Sequence, residues 1–294
     1  MVTTLSTTAA RTNRLALAAA LFTVVAWASA FVGIRSAGAD LSPGALSLMR
    51  LSIASVALGA VVAVRRERMP SRRHFPRLAI CGVLWFGVYN IALNAGERRV
   101  DAGTASMLVN IAPILIAIMA GYVLREGFAR NLVIGLAIAF LGVTIIAVAT
   151  SDGRSVSVGA LLCFLAAVVY SIAVIAQKPL LAELPALTVT WAACLIGLVV
   201  CLPFAPRLFS ELPDASTGAI AWSVYLGLVP TAIAFTTWAY ALARTDAGKL
   251  GVTTYLVPPI AIFLGWALLD EVPPGLAFVG GALALAGVVV SRRR

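Results

Sequence analysis

The chain is a series of long apolar runs separated by short polar stretches. Each run is close to the ~20 residues that a helix needs to cross about 30 Å of hydrocarbon. Ala, Leu, Val and Gly dominate these runs, and none alternates between apolar and polar positions, which favours a helical bundle over a β-barrel. We therefore predict an all-α integral membrane protein whose ten transmembrane helices span approximately residues 15–34, 43–64, 78–95, 104–124, 132–150, 158–177, 186–205, 218–242, 250–269 and 275–291.

The second half of the chain repeats the first at a constant distance. Matching residues lie 145 positions apart over helices 4–5 and 9–10, and no gap is needed to align them. An internal repeat of this kind determines the fold, and this one indicates two homologous five-helix halves. The matched residues are Asp101-Ala102-Gly103 with Asp246-Ala247-Gly248, Pro113 with Pro258, Leu124 with Leu269, Glu126 with Glu271, Gly135 with Gly280, and Gly142 with Gly287.

The first helix resembles a cleavable signal peptide, because Arg11 and Arg14 precede it and Ala28-Ser29-Ala30 lies near its end. We expect it to be retained, since the sixth helix repeats it. At a constant distance of 143 positions, Trp27, Phe31 and Arg35 correspond to Tyr170, Val174 and Lys178. The predicted organisation is a tail (1–14), a first repeat (15–150), an inter-repeat loop (151–157), a second repeat (158–291) and a basic C-terminal end (292–294).

The composition excludes a soluble domain. Hydrophobic residues make up 61% of the chain and charged residues 12%, whereas a soluble domain carries roughly 25% charged residues. The Lys and Arg residues that give the net charge of +10 lie mostly in short loops between apolar runs. We therefore expect no nucleic-acid partner. The four cysteines fall in apolar runs and the single His74 has no ligand residues nearby in the sequence, so we expect no metal and no cofactor.

The positive charges predict the orientation of the bundle. If ten helices alternate in direction, 16 of the 22 Lys and Arg residues lie on the side of the N-terminus and 5 on the other side, with Arg50 inside a helix. The positive-inside rule then places both termini in the cytoplasm. Because each half has five helices, the second half must be inverted relative to the first. Inverted repeats are a recurring plan of secondary transporters.

These features together resemble the drug/metabolite transporter superfamily, with two tandem EamA units. The resemblance is carried by residues 27–35 of helix 1, by Arg50 of helix 2 and by the repeated Asp-Ala-Gly…Pro…Glu…Gly…Gly frame. Within the superfamily the chain is most similar to YddG-type amino acid exporters. The resemblance implies a multi-pass protein of the bacterial inner membrane that exports small metabolites by alternating access.

Arg50 is the one charge well inside a predicted helix, about 10 Å from its Pro43 end. As a functional residue it would bind a substrate carboxylate through its guanidinium. As a structural residue it would extend towards the membrane surface or bind the carbonyls of a neighbouring helix. Its counterpart in the repeat is Ala193, so the fold does not require the charge.

Other candidates line the same predicted cavity. We expect helices 3, 4, 8 and 9 to surround a largely apolar space near the midplane, with helices 1 and 6 capping it, because polar, aromatic and proline residues concentrate there. Several could instead be interhelical hydrogen-bonding or packing residues. Glycine-rich helices 5 and 10 are assigned to the scaffold. The candidate substrate-binding residues are Trp27, Phe31, Arg50, Trp85, Tyr89, Asn90, Asn110, Pro113, Tyr170, Thr231, Trp238, Tyr255 and Pro258.

Several classes of function compete with amino acid export. An enzyme is disfavoured, since no nucleophile and base can be assembled from one loop histidine. A channel remains open, because inverted repeats also build pores. An exporter of hydrophobic cations would need a carboxylate beside the aromatic residues, and all twelve carboxylates lie in loops or at helix ends. The same distribution predicts transport without an intramembrane proton relay. The expected partners are a small-molecule substrate and membrane lipids; the sequence does not determine the oligomeric state, and a monomer is compatible with it.

Overall fold

The computed structural model describes residues 2–100, 102–150, 158–269 and 275–292, and all regular structure in these ranges is helical. The first half contains α1 (Val2–Ala37), α2 (Pro43–Arg65), α3 (Phe75–Ile80), α4 (Asn90–Glu97), α5 (Ala102–Val109), α6 (Ala112–Val123) and α7 (Arg130–Thr150). The second half contains α8 (Val158–Leu180), α9 (Ala186–Cys201), α10 (Ala205–Glu211), α11 (Thr217–Leu226), α12 (Ala234–Leu242), α13 (Ala247–Gly251), α14 (Val257–Leu269) and α15 (Gly275–Arg292).

Short helices of other types join several of these elements. A π-helix occupies Cys81–Tyr89 between α3 and α4, and another occupies Gly227–Ile233 between α11 and α12. The remaining connecting helices are 3₁₀ helices at Arg72–His74, Leu202–Phe204, Leu212–Asp214 and Val252–Leu256. The predicted helices 3, 4, 8 and 9 are therefore each built from more than one element.

Eight helical spans within the described ranges are long and apolar enough to cross a membrane. The other two long helices are α7, with 21 residues, and α15, with 18. The predicted total of ten membrane helices and the cytoplasmic orientation of the termini stay predictions. The inter-repeat loop 151–157, Asp101, Glu271 and positions 293–294 of the basic end lie outside the described residues.

Helices α7 and α15 pack closely against each other through glycine. A Cβ atom added to Gly287 would lie 2.5 Å from the backbone nitrogen of Ala139 and 2.6 Å from the carbonyl oxygen of Gly135. A Cβ atom on Gly135 would likewise lie 2.6 Å from the carbonyl oxygen of Gly287. Only glycine permits this approach of two backbones. This contact agrees with the expected scaffold role of helices 5 and 10.

The two π-helices occupy equivalent places in the two halves, since Gly82 and Gly227 are 145 positions apart. In the second, Pro230 has no N–H and leaves the carbonyl of Leu226 without its usual helical donor. The hydroxyl of Thr231 donates to that carbonyl at 2.7 Å.

In the first π-helix, the side-chain amide of Asn90 donates to the carbonyls of Trp85, at 3.3 Å, and Phe86, at 2.9 Å. Polar side chains thus stabilise both irregular turns.

The prolines of the repeat also mark irregular backbone. Pro113 lies in the first turn of α6, directly after a turn at residues 110–111, and Pro258 is the second residue of α14, directly after the 3₁₀ helix Val252–Leu256. Backbone N–H groups in the first turn of a helix make no intrahelical hydrogen bond, so a proline there removes none. The expected helix breaks occur one turn before each proline.

The alternation of the spans places Arg35 and Lys178 at opposite ends of the bundle. At the end containing Arg35, which we call the Arg35 end, Glu211 accepts a hydrogen bond from the backbone of Ser42 at 2.7 Å. At the other end, which we call the Lys178 end, Glu183 contacts the imidazole Nε2 of His74 at 3.1 Å. These contacts fix loops of one half against loops of the other at each end.

Candidate functional site

A central cavity of about 40 Å3 lies between the two halves. Helix α1 contributes four of its lining residues, more than any other element, so it forms a wall of the cavity where we expected a cap. The other lining residues come from α2, the π-helix Cys81–Tyr89, α4, α5, the turn at residues 110–111, α8, α12, the 3₁₀ helix Val252–Leu256 and α14. The described residues that line it are Trp27, Ala30, Phe31, Ile34, Arg50, Trp85, Tyr89, Leu93, Val109, Asn110, Tyr170, Phe235, Thr254 and Val257.

Aromatic rings form one continuous cluster around Trp27. The ring centroid of Trp27 lies 5.0 Å from that of Trp238, 5.3 Å from Phe235, 6.0 Å from Trp85 and 6.1 Å from Tyr170. The indole Nε1 of Trp27 donates to the carbonyl of Pro230 at 3.2 Å, which fixes the ring against the second π-helix. Offset and edge-on contacts at these distances are the favoured aromatic geometries. The cluster presents a rigid apolar wall to the cavity.

Arg50 is buried, with 3% of its surface exposed. Its Nε donates to the hydroxyl of Thr231 at 3.1 Å, and its side chain lines the cavity. This burial excludes the interpretation in which the side chain extends to the membrane surface. Because Thr231 also donates to the carbonyl of Leu226, the π-helix holds the guanidinium in position. No carboxylate is among the described residues that line the cavity.

Two buried polar atoms on lining residues have no hydrogen-bond partner in the described part of the chain. They are the side-chain oxygen of Asn110 and the hydroxyl of Tyr170. The amide nitrogen of Asn110 donates to the carbonyl of Ser106 at 2.6 Å, which stabilises the turn between α5 and α6. Buried polar groups normally have partners, so these two atoms are available to a polar ligand.

Six of the sequence candidates do not line the cavity. Asn90 and Thr231 stabilise the π-helices described above. Pro113 and Pro258 begin α6 and α14. Trp238 is fully buried behind Trp27. Tyr255, expected to be the counterpart of Asn110 in the cavity, is packed in a separate cluster with Met107, Leu132, Ala139 and Val252.

The displacement of Tyr255 has a local cause. Residues Val252–Leu256 form a 3₁₀ helix, which rotates about 120° per residue in place of the 100° of an α-helix. This change brings Thr254 to the cavity. The cavity is therefore lined by the turn that the sequence predicts, but by Thr254 in place of Tyr255.

Some lining residues that sequence reasoning missed were accessible from helical spacing. Ala30 and Ile34 lie three and seven positions after Trp27, and Leu93 lies four after Tyr89, so each shares a face with a candidate. Phe235 lies three positions before Trp238 in α12. Val109 and Val257 lie beside the irregular turns, where helical spacing gives no reliable signal.

A second cavity, of about 310 Å3, lies at the Arg35 end. We call it the vestibule. Ile34 lines both the vestibule and the central cavity, so the two adjoin at this side chain. The remaining lining residues are Arg35, Gly38, Ala39, Asn94, Glu97 and Arg98. Glu97 is 2% exposed, so one helix-end carboxylate is buried in the protein, which the sequence had not indicated.

The Lys178 end is held closed by hydrogen bonds between elements. Nζ of Lys178 donates to the carbonyls of Leu242 and Thr245, each at 2.5 Å. The carboxylate of Glu126 accepts from the backbone N–H groups of Ala247, at 2.9 Å, and Gly248, at 3.2 Å. The second contact caps the start of α13, where unpaired N–H groups favour a carboxylate. Among the described residues, the lining of the central cavity is shared with the vestibule, through Ile34.

Comparison with known proteins agrees with this architecture. The EamA-like transporter family matches residues 14–148 and again residues 157–293. A protein of Streptantibioticus cattleyicolor named "Probable terminal-alkyne amino-acid exporter" is 41% identical over 94% of this chain and 93% of the relative. A Bacillus subtilis protein named "Uncharacterized transporter YdfC" is 35% identical over 89% of this chain and 86% of its own length. A crystal structure at 20% identity shares the fold, with a TM-score of 0.75 over 94% of this chain and 96% of that one.

Proposed function

The chain belongs to the EamA-like transporter family and is a multi-pass membrane protein that transports small metabolites, and on that basis we propose that it exports neutral amino acids by alternating access. The family and the named relatives are transporters and not enzymes. In this proposal the termini lie in the cytoplasm of a bacterial cell and the vestibule faces outward.

The observation that supports an amino acid substrate is the position of Arg50. A guanidinium offers two parallel donors to a carboxylate, and Nε is already held by Thr231, so the remaining nitrogens are left for a ligand. The aromatic wall around Trp27 suits an apolar side chain. The unpartnered oxygens of Asn110 and Tyr170 are acceptors for an ammonium group. The site therefore has contacts for the carboxylate, the ammonium group and the apolar side chain of a neutral amino acid.

The dimensions of the cavity support a conformational cycle. A volume of about 40 Å3 holds only a few water molecules, at ~10–15 Å3 each, so an amino acid cannot occupy the cavity in this state. We propose that the site widens when the Lys178 end opens and contracts when that end closes. When the site contracts, the vestibule at the other end is open, so the substrate would leave through the vestibule to the outside, as export requires.

The name of the S. cattleyicolor relative adds a specific substrate to test. Amino acids with slender, unbranched apolar side chains, such as propargylglycine, are included in the proposal beside the aromatic and other neutral amino acids. A hydrophobic pocket discriminates weakly between such side chains, because one methylene is worth only about 1–3 kcal/mol. A hydrophobic cation is disfavoured, since the buried charge of Arg50 would repel it.

Counterflow in proteoliposomes tests the proposal. Vesicles loaded with unlabelled propargylglycine, leucine or phenylalanine should accumulate the same labelled amino acid transiently, with saturation, and should do so without a pH gradient. Ethidium is the cation control. Accumulation of ethidium without accumulation of any amino acid would support the drug exporter, and flux that neither saturates nor shows counterflow would support a channel.

A further inference from the structure

The residues at the two ends of the bundle are images of each other in different surroundings. Ile34 and Arg35 line the open vestibule. The residues 143 positions later, Gln177 and Lys178, lie at the opposite, closed end. Since the two halves are repeats, what Ile34 does at the open end is a guide to what Gln177 does when its own end is open.

The hydrogen bonds of the two cations follow the same relation. Arg35 donates to the carbonyl of Val100 at 3.3 Å, in an exposed position. Lys178 donates to the carbonyl of Thr245 at 2.5 Å, and Thr245 is the residue 145 positions after Val100. The same contact therefore occurs at both ends, exposed at the open end and half-buried at the closed one. This asymmetry agrees with an open Arg35 end and a closed Lys178 end.

Gln177 is fully buried, and neither its amide nitrogen nor its amide oxygen has a hydrogen-bond partner within the described ranges. A buried amide without partners destabilises the state in which it is buried. An apolar residue would pack there without this cost, as Ile34 does at the other end. The buried amide of Gln177 is explained if it makes hydrogen bonds in another conformational state of the protein.

We propose that Gln177 lines the substrate entrance at the Lys178 end and that its amide binds the polar end of the amino acid before Arg50 receives it. This inference rests on the proposed alternating access. When the Lys178 contacts to Leu242 and Thr245 break, Gln177 occupies the place that Ile34 has in the open vestibule. An amide supplies both a donor and an acceptor, so one side chain contacts both the carboxylate and the ammonium group of the substrate.

The position of Gln177 also affects the conformational equilibrium. Because closing the Lys178 end buries the amide without partners, it raises the free energy of the closed state and favours reopening. Replacement by an apolar side chain of similar shape should therefore stabilise the closed state and slow transport. A purely structural glutamine would show the opposite change in stability.

Gln177→Met tests this, with Thr188→Val as the matched control. Thr188 is also fully buried with an unpartnered hydroxyl, but the residue 143 positions before it, Ala45, lines neither cavity, whereas Ile34, the counterpart of Gln177, lines both. Gln177→Met should keep or raise the unfolding temperature while reducing leucine counterflow at low substrate roughly tenfold, the effect of one lost hydrogen bond. Thr188→Val should transport like the wild type. Wild-type counterflow in Gln177→Met, or a lowered unfolding temperature, would overturn the inference.

Labelling with a membrane-impermeant maleimide provides a test that needs no substrate. In separate variants, Ile34→Cys and Gln177→Cys should react from opposite sides of the membrane, whereas the four native cysteines are buried. Reaction of both from the same side would overturn the inference. If opposite-side labelling is found but no amino acid shows counterflow, the proposed substrate is wrong and the entrance stands. If leucine counterflow is normal in Gln177→Met, the entrance is wrong and the proposed function stands.

Discussion

Arg50 and Thr231 are joined by a 3.1 Å hydrogen bond that ties a buried guanidinium to the π-helix around Pro230. They lie 181 positions apart, one in each repeat, so the contact couples the two halves at the wall of the cavity. The proline creates the irregular turn, the turn positions the hydroxyl, and the hydroxyl orients the charge. Each of these contacts can be tested separately.

Thr231→Val should weaken substrate binding, because the guanidinium of Arg50 loses the hydrogen bond that orients it. The substitution keeps the side-chain shape and removes both hydrogen bonds of the hydroxyl. A hydrogen bond to a charged group contributes about 1.5–3 kcal/mol, so the half-saturating concentration of leucine should rise by roughly 10- to 150-fold. Thr236→Val is the control, because that hydroxyl donates to the carbonyl of Ala232 in its own helix. Equal effects of the two variants on half-saturation would refute a special role for Thr231.

Asn90→Ala should destabilise the first π-helix and displace Trp85. The variant loses the hydrogen bonds to the carbonyls of Trp85 and Phe86, and an unfolding free energy lower by about 1–3 kcal/mol is expected. Asn94→Ala is the control, since Asn94 bonds to Ser47 and to the carbonyl of Pro43. Thermal unfolding and leucine counterflow measure the two effects. We expect both variants to be destabilised and Asn90→Ala to lose more transport; the reverse order would contradict the assignment.

Gly287→Ala should destabilise the scaffold without changing affinity for substrate. The added methyl group would lie 2.5–2.6 Å from backbone atoms of α7, and overpacking of this kind costs about 1–3 kcal/mol. Gly275→Ala is the control, because no atom of another described part of the chain lies within 4 Å of its added Cβ. Unfolding temperature in detergent is the measurement. A Gly287→Ala protein as stable as Gly275→Ala would show that the two helices are not in close contact.

Glu183 should make the stability of the Lys178 end depend on pH. Its hydrogen bond to His74, and then the charge of Arg73 at 2.7 Å, hold the pKa of this loop carboxyl below its usual value. A lowered folded-state pKa contributes stability above the unfolded value, about 4.3, and that stability is lost as the pH falls through the folded pKa. Glu183→Gln should therefore lower the unfolding temperature at pH 7, and its difference from the wild type should shrink below about pH 4.

Arg73→Gln provides the check on this link, because it removes the same ion pair from the other side. Its destabilisation should also diminish at acid pH, and the double variant should lose less stability than the sum of the single variants. A difference between Glu183→Gln and the wild type that stays constant from pH 7 to pH 4 would contradict the assignment.

The repeat made much of the fold predictable from the sequence, because residues that match at a fixed distance occupy equivalent positions in the two halves. Trp27, Phe31 and Tyr170 were found through it, and all three line the cavity. The irregular helices limited the rest. The first π-helix contains no proline, so no signal in the sequence predicts it. The 3₁₀ helix brings Thr254, and not Tyr255, to the cavity. The partners of Arg50 and Lys178 lie far away in the sequence and became evident only from the packing of the two halves.

The most direct test of the account measures how Arg50 recognises a carboxylate. Leucinol has the side chain and amino group of leucine but no carboxylate, and both can compete for labelled leucine in counterflow. With the wild type, leucinol should compete roughly 10- to 150-fold more weakly than leucine, the value of a charge-assisted contact. In Arg50→Leu the two compounds should compete about equally and weakly. If Arg50→Leu still prefers leucine over leucinol by the wild-type factor, Arg50 does not bind the substrate carboxylate and the central claim is wrong.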